Sequence, residues 1–183
     1  MDDDAKPAYE ARYGFDRRTV AVLLGAVVFT AVLVMPGMGF PLRIAGGVLF
    51  GGGGLLIAAN SLTRRVALRV DATGVLLGGV PLRYRATTAH VPWEDVTAVV
   101  LWKQPVPYGH RVPWIGVQRR EGAPPLPGPG QGALARAVAG ALVPVPFDLV
   151  IASRQVNGWR LDRRRLAAAL EHFAPGVPLV DQG

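Results

Sequence analysis

The chain has 183 residues, 20 Lys/Arg against 13 Asp/Glu, a formal net charge of +7 and no cysteine. The missing thiols exclude disulfides, thiolate zinc sites and thiol catalysis. The charge is uneven: up to Ser61 five basic and five acidic side chains cancel, and from Leu62 onward fifteen basic against eight acidic carry the whole excess.

Residues 1–18 form a polar segment in which Asp2, Asp3, Asp4, Glu10 and Asp16 oppose Lys6, Arg12, Arg17 and Arg18. From 19 to 63 the only charged side chain is Arg43. Two apolar runs, 19–35 and 44–59, are separated by Pro36-Gly37-Met38-Gly39-Phe40-Pro41. A spanning helix needs about 20 predominantly apolar residues, so the pattern predicts a two-helix transmembrane hairpin over 19–63. A signal peptide fits poorly, because the first run lacks an A-x-A-like cleavage site and a second run follows at once. A buried soluble hairpin would show polar residues at helical spacing on its outer faces, and neither run does. A re-entrant loop is the third alternative, since Pro36 and Pro41 interrupt the chain.

Basic residues collect on the cytoplasmic side of membrane helices. Lys6, Arg12, Arg17 and Arg18 precede the first run, and Arg64, Arg65 and Arg69 follow the second. The expected location is therefore the cell membrane, multi-pass with two spans, both termini cytoplasmic. The second run holds Gly46, Gly47, Gly51, Gly52, Gly53 and Gly54. Gly47-x-x-x-Gly51 permits close helix approach. It serves either a dimer face or packing against Ala21, Gly25 and Ala26 of the first run. So many glycines also weaken the helix and favour a kink.

Residues 64–183 read as strands and then one helix. Val66-Ala67-Leu68-Arg69-Val70 alternates with period two, so Val66, Leu68 and Val70 share one face; Asp71-Ala72-Thr73-Gly74 is a turn, and Val75-Leu76-Leu77 is a second strand. Gly78-Gly79 predicts a two-residue hairpin turn into Leu82-Arg83-Tyr84-Arg85. A break at 90–96 leads into strands over 97–103, 114–119 and 147–154, with a short last strand near Trp159. Residues 121–146, rich in Pro and Gly, predict a long loop. Asp162 is a helix N-cap, and Leu166, Ala169, Leu170 and Phe173 follow on one face until Pro175-Gly176 ends the helix.

About seven antiparallel strands with a C-terminal amphipathic helix is an α+β plan, a barrel or sandwich of the pleckstrin-homology (PH) kind. The chain resembles a family of actinobacterial, hence bacterial, membrane proteins that carry a PH domain. The residues that carry the resemblance are Arg69-Val70-Asp71-x-x-Gly74-Val75, Val91-Pro92-Trp93-Glu94-Asp95-Val96, and Asn157-Gly158-Trp159-Arg160-Leu161-Asp162 running into 166–175. It covers about 64–181 and departs from the family at the 121–146 insertion. It implies a binding or scaffold module with Trp93, Trp159, Leu166, Leu170 and Phe173 as structural anchors, and it brings no catalytic residues.

The residues offer little chemistry of their own. Glu94 and Asp95 are adjacent, so on an extended segment they point to opposite sides. His90, His110 and His172 lack metal-ligand spacing, and Ser153 sits in no G-x-S-x-G elbow. Gly51-Gly52-Gly53-Gly54 is followed by no Gly-Lys-Ser/Thr. Arg163-Arg164-Arg165 stands at a helix N-terminus, where the macrodipole disfavours cations; it reads as a solvated face or an anion contact. The candidate contact patch for anionic lipid or a partner is Arg64, Arg65, Arg69, Arg83 and Arg85. The expectation is a membrane-anchored scaffold with no enzymatic activity, no cofactor and no metal. Its partners are the lipid bilayer and a membrane or cytoplasmic protein or a homo-oligomer, with no nucleic acid. The alternative is a sensor of anionic lipid headgroups that uses the arginine patch.

Overall fold

The computed structural model describes residues 8–37, 39–80, 83–106, 109–127, 143 and 145–182. The chain divides into two compact units, one of Arg12–Arg65 with Gly158–Arg160, the other of Met1–Ala11, Val66–Asn157 and Leu161–Gly183.

The first unit is a helix pair. Helix α1 is Arg17–Val32, with Asp16 as its N-cap accepting from the Thr19 amide. Helix α2 is Phe40–Thr63. Its middle, Gly47–Gly52, is π-helical, a local widening of the kind the glycine run favours in place of a sharp kink. The pair is antiparallel. A Cβ built on Gly54 would lie 3.2 Å from the Ala26 Cβ, one on Gly51 would lie 3.8 Å from Thr30, and one on Gly46 would lie 2.7 Å from Leu33. Phe29 stacks on Phe50 with centroids 4.8 Å apart. Gly47, by contrast, faces open space. The glycines at Gly46 and Gly54 thus serve packing within the chain.

Only α2 is long and apolar enough by itself to cross a membrane among the described residues. Of the two expected spans, the first falls short of that length as a helix. The first apolar run does not convert wholly into helix. Its 16-residue helix starts at the charged pair Arg17-Arg18 and stops at Val32. Leu33–Met35 then tighten into turns, with Val34 N–H donating to Ala31 O and Met35 N–H to Val32 O.

The second unit is α+β. Strands β1 (Tyr9–Arg12), β2 (Val66–Asp71), β3 (Gly74–Leu77) and β4 (Ala89–Pro92) form one sheet in the order β1-β2-β3-β4. Strands β5 (Val96–Pro105), β6 (Arg111–Arg119), β7 (Ser153–Gln155) and β8 (Leu179–Asp181) form another, ordered β7-β6-β5-β8. β5 and β8 run parallel. The sequence predicts about seven antiparallel strands and a barrel or sandwich. The described residues instead form two four-stranded sheets with one parallel pairing, and no barrel closes. Tyr9–Arg12, read as polar tail, is a strand because Tyr9 and Ala11 bury on one side while Glu10 and Arg12 do not.

Two predicted strands are helical turns. Gly78-Gly79 does not make a hairpin: a side chain on Gly78 would collide with the Val66 carbonyl. The Thr88 and Thr87 hydroxyls accept from the Gly79 and Val80 amides at 3.1 and 2.8 Å and donate back to Tyr84 O and Arg83 O. These side-chain bonds to backbone compete with a ladder, and Tyr84–Thr87 closes as a short helix, α3. Likewise Phe147–Ile151 is helix α4, followed by β7. Buried Leu149 and Ala152 are three apart, a helical spacing, not the alternation of a strand. Trp159 lies in no strand.

Helix α5, Arg163–Phe173, begins at Asp162, whose carboxylate accepts from the Arg165 amide at 3.0 Å. It buries Leu166, Ala169 and Leu170 and packs on β2. The deepest core combines Leu68, Val70, Val75, Leu77, Val91, Val99, Ile115, Val117 and Leu166. β5 is buried on both faces. Its other face, Ala98, Val100 and Trp102, packs with Val145 and Leu149, which explains why 98–102 reads as an unbroken apolar run. Arg154 ties the sheets together. Its guanidinium donates to Gly78 O and Thr87 O, both at 2.7 Å, and to Ser153 O at 2.8 Å.

Candidate functional site

The described surface has one outstanding apolar region. All the exposed large apolar side chains except Phe15 and Val80 lie between Val20 and Leu62. Leu24, Val27, Val48, Leu49 and Leu55 are each more than 60% exposed. Within α2 only 6% of the most apolar window is buried. A core helix of a soluble protein hides such side chains, and monomers rarely expose apolar patches beyond a few hundred Å².

The two ends of this helix pair differ. At the turn end the lone Arg43 donates from Nη2 to Met35 O at 2.9 Å, so it caps the turn. At the other end three stretches of chain meet. Tyr13 N–H donates to Arg65 O at 2.9 Å and Gly14 N–H to Gly158 O at 2.8 Å. Arg12 Nη1 donates to Arg64 O at 3.2 Å. Arg64 closes α2 in the left-handed conformation, φ +47°, a role usually left to glycine. Arg160 and Arg18 lie near enough to act on the Asp16 carboxylate. Burial alone would raise the Asp16 pKa. The Thr19 hydroxyl and amide, then Arg160 and Arg18, outweigh it and hold it below the ordinary value. Continuing the antiparallel register brings buried Thr19 level with buried Ser61. The Ser61 hydroxyl donates back to Ile57 O of its own helix at 3.0 Å.

The predicted arginine patch is divided between the units. Arg64 and Arg65 belong to the helix pair, and Arg69, Arg83 and Arg85 to the β unit. Arg69 lies on β2 opposite Leu76, its Nε 3.1 Å from Asp71 Oδ2. Arg83 precedes α3 and Arg85 lies within it, both exposed, so neither is on the strand expected for it. What the sequence reading missed as a site is the set Arg12, Arg17, Arg18 and Arg160. The first three carry a signal, because they flank an apolar run. Nothing local marks Arg160, which is brought in by the Gly158 backbone.

The five residues expected as anchors differ in burial. Trp93 Nε1 donates to Asp71 O at 2.9 Å, and Trp159, Leu166 and Leu170 are buried. Phe173 is half-buried against the His172 ring. Asp95 is buried and pairs with Arg120 Nε at 2.7 Å; its neighbour Glu94 is exposed. His90 Nε2 lies 3.1 Å from the Thr73 hydroxyl, which also donates to Asp71 at 2.6 Å. Ser153 is buried, donating to Leu149 O and accepting from Trp102 Nε1. Arg163 pairs with Asp181 at 2.7 Å, which gives the first of the three helix-start arginines a structural partner. Among the described residues no group of three His, Asp or Glu side chains is placed to hold a metal ion. No protein-family model, no curated protein and no solved structure matches this chain.

Proposed function

We propose that this protein is a membrane-anchored, non-catalytic binding module. The helix pair sits in the cell membrane with its arginine-rich end and both termini in the cytoplasm, and the β unit meets a protein partner or a second copy there. The observation that carries this reading is the apolar exterior of the pair, with six arginines at one end and the single Arg43 at the other. α2, about 36 Å long at 1.5 Å per residue, exceeds the roughly 30 Å hydrocarbon layer, and α1 crosses beside it as the shorter span. The β unit, two four-stranded sheets with a C-terminal helix, is a PH-like plan whose sheets stay separate.

The chain has no cysteine, so single cysteines report topology without background. Gly37→Cys in the turn should react with a membrane-impermeant maleimide from outside intact cells. Gly176→Cys, after α5, should react only once the membrane is opened. Release of the protein by alkaline carbonate would overturn the anchor, and outside labelling of Gly176→Cys would overturn the orientation. Crosslinking in the intact membrane then identifies the partner.

A further inference from the structure

We propose that the arginine-rich end of the helix pair binds anionic glycerophospholipids through their phosphodiester groups; this rests on the membrane reading above. Six guanidinium groups belong to this end: Arg12, Arg17, Arg18, Arg64, Arg65 and Arg160, all exposed. They come from three stretches of chain joined by the backbone bonds from Tyr13 to Arg65 and from Gly14 to Gly158. The helix-pair unit holds one carboxylate, Asp16, and that group is engaged as the N-cap of α1.

Helix stability does not explain the charges. Arg17 and Arg18 occupy the first turn of α1, where the macrodipole opposes cations. They have a use if an anion lies beside them. Guanidinium is planar, weakly hydrated and forked, so it takes phosphate oxygens in pairs where lysine offers a single point charge. The level is right too. Val20 and Leu62 are the last exposed apolar side chains before Arg18 and Arg64, and beyond them only Phe15 lies exposed among the charges, as expected of groups at the level of lipid phosphates beside a hydrocarbon layer. Arg83 and Arg85 lie outside this unit and are not part of the site.

The test uses the full chain in vesicles of phosphatidylcholine with a minor fraction of phosphatidylglycerol. The protein is extracted in mild detergent and its retained lipids are weighed by mass spectrometry. An arginine near an anionic surface is worth about five-fold in affinity, so the wild-type chain should retain phosphatidylglycerol enriched about ten-fold or more over the bulk. The triple variant Arg17→Gln, Arg18→Gln, Arg160→Gln should fall to within about two-fold of bulk while still floating with pure phosphatidylcholine vesicles. The control Arg83→Gln with Arg85→Gln should keep the enrichment. Excess free glycerol phosphate should not displace the lipid. A wild-type chain that floats but shows no enrichment, or a triple variant that keeps it, overturns the lipid site alone. Displacement by glycerol phosphate makes it a soluble-anion site and overturns it equally. A chain that fails to float removes the membrane reading and this inference with it.

Discussion

Arg154→Met tests what joins the two sheets. The Arg154 guanidinium makes two bonds between distant parts of the chain, to Gly78 O and Thr87 O, both at 2.7 Å, plus local ones to Ser153 O at 2.8 Å and Ile151 O at 3.4 Å. Methionine keeps most of the aliphatic stem and removes every donor. A hydrogen bond to a charged group contributes about 1.5–3 kcal/mol net. The side chain is half-buried and water can reach part of the site, so the low end applies. Two such bonds lost come to about 3 kcal/mol, or a fall of about 10–15 °C in Tm for a unit of this size. Arg154→Lys, one ammonium with no fork, should lose about half as much. The assay is thermal unfolding of the full chain in detergent, followed by near-ultraviolet circular dichroism of the stacked pair Trp102 and Trp114. A methionine variant within about 3 °C of wild type would refute the view that this guanidinium binds the sheets together. A lysine variant as unstable as the methionine one would assign the effect to the fork alone, not to charge.

Three further changes test separate parts of the structure. Ala26→Cys with Gly54→Cys should form a disulfide on mild oxidation, because the two Cβ positions lie 3.2 Å apart, a few tenths from the usual separation. Ala26→Cys with Gly47→Cys should not, and failure of the first pair on non-reducing gels would reject the helix register. Gly74→Ala should cost about 3 kcal/mol, since φ is +141° and a Cβ would run into the Val91 carbonyl and Pro92. Gly122→Ala, at φ +77° in open space, should cost about 1 kcal/mol, and equal losses in thermal unfolding would contradict the close approach of β3 to β4. Burial alone would raise the Asp71 pKa, but the Thr73 hydroxyl and amide, with Arg69 and His90, hold it below the ordinary carboxylate value. A depressed folded pKa means that its stabilisation is present above the unfolded pKa, near about 4, and is lost as pH falls through the folded value. Asp71→Asn should therefore be less stable than wild type at neutral pH and converge with it in acid. A gap that persists in acid would show that the ionised carboxylate is not the stabilising species.

The parts of the fold legible in the sequence are those whose pattern is local. Asp162 with Leu166, Ala169 and Leu170 announces α5, and the Asp71–Gly74 turn joins β2 to β3 as its residues require. What was not legible depends on distant partners. β1 is four residues long and is a strand only because β2 lies beside it. β8 is three residues long and pairs in parallel with β5, which no hairpin signal marks. Thr87 and Thr88 look like strand formers, yet their hydroxyls bind the Gly79 and Val80 amides and close α3. The candidate site was half legible. Arg64 and Arg65 were marked by the apolar run before them, and Arg17 and Arg18 by the run after them. Arg160 stands 144 positions from Asp16 and meets it only through the folded chain.

On the proposed membrane reading, the shortness of α1 needs a physical account. Sixteen residues span about 24 Å, some 6 Å less than the hydrocarbon layer. Each end supplies part of the difference. At the base, Arg17 and Arg18 can lay their aliphatic stems along lipid while their guanidinium groups reach the phosphates, which lets the backbone of α1 start below the interface. At the turn, Val34, Met35, Phe40 and Leu42 are all at least 60% exposed. Such a turn lies low at the interface, its apolar side chains in the boundary layer and its Gly37 tip in water. Its one cation, Arg43, is exposed and donates to the Met35 carbonyl, which gives an orphan helix-end acceptor a partner. Arg43 therefore belongs to the anchoring and not to the orientation. Arg43→Gln should leave the labelling of Gly37→Cys on the same side while lowering the thermal stability of the helix pair, whereas an inverted labelling pattern would make this arginine a determinant of topology.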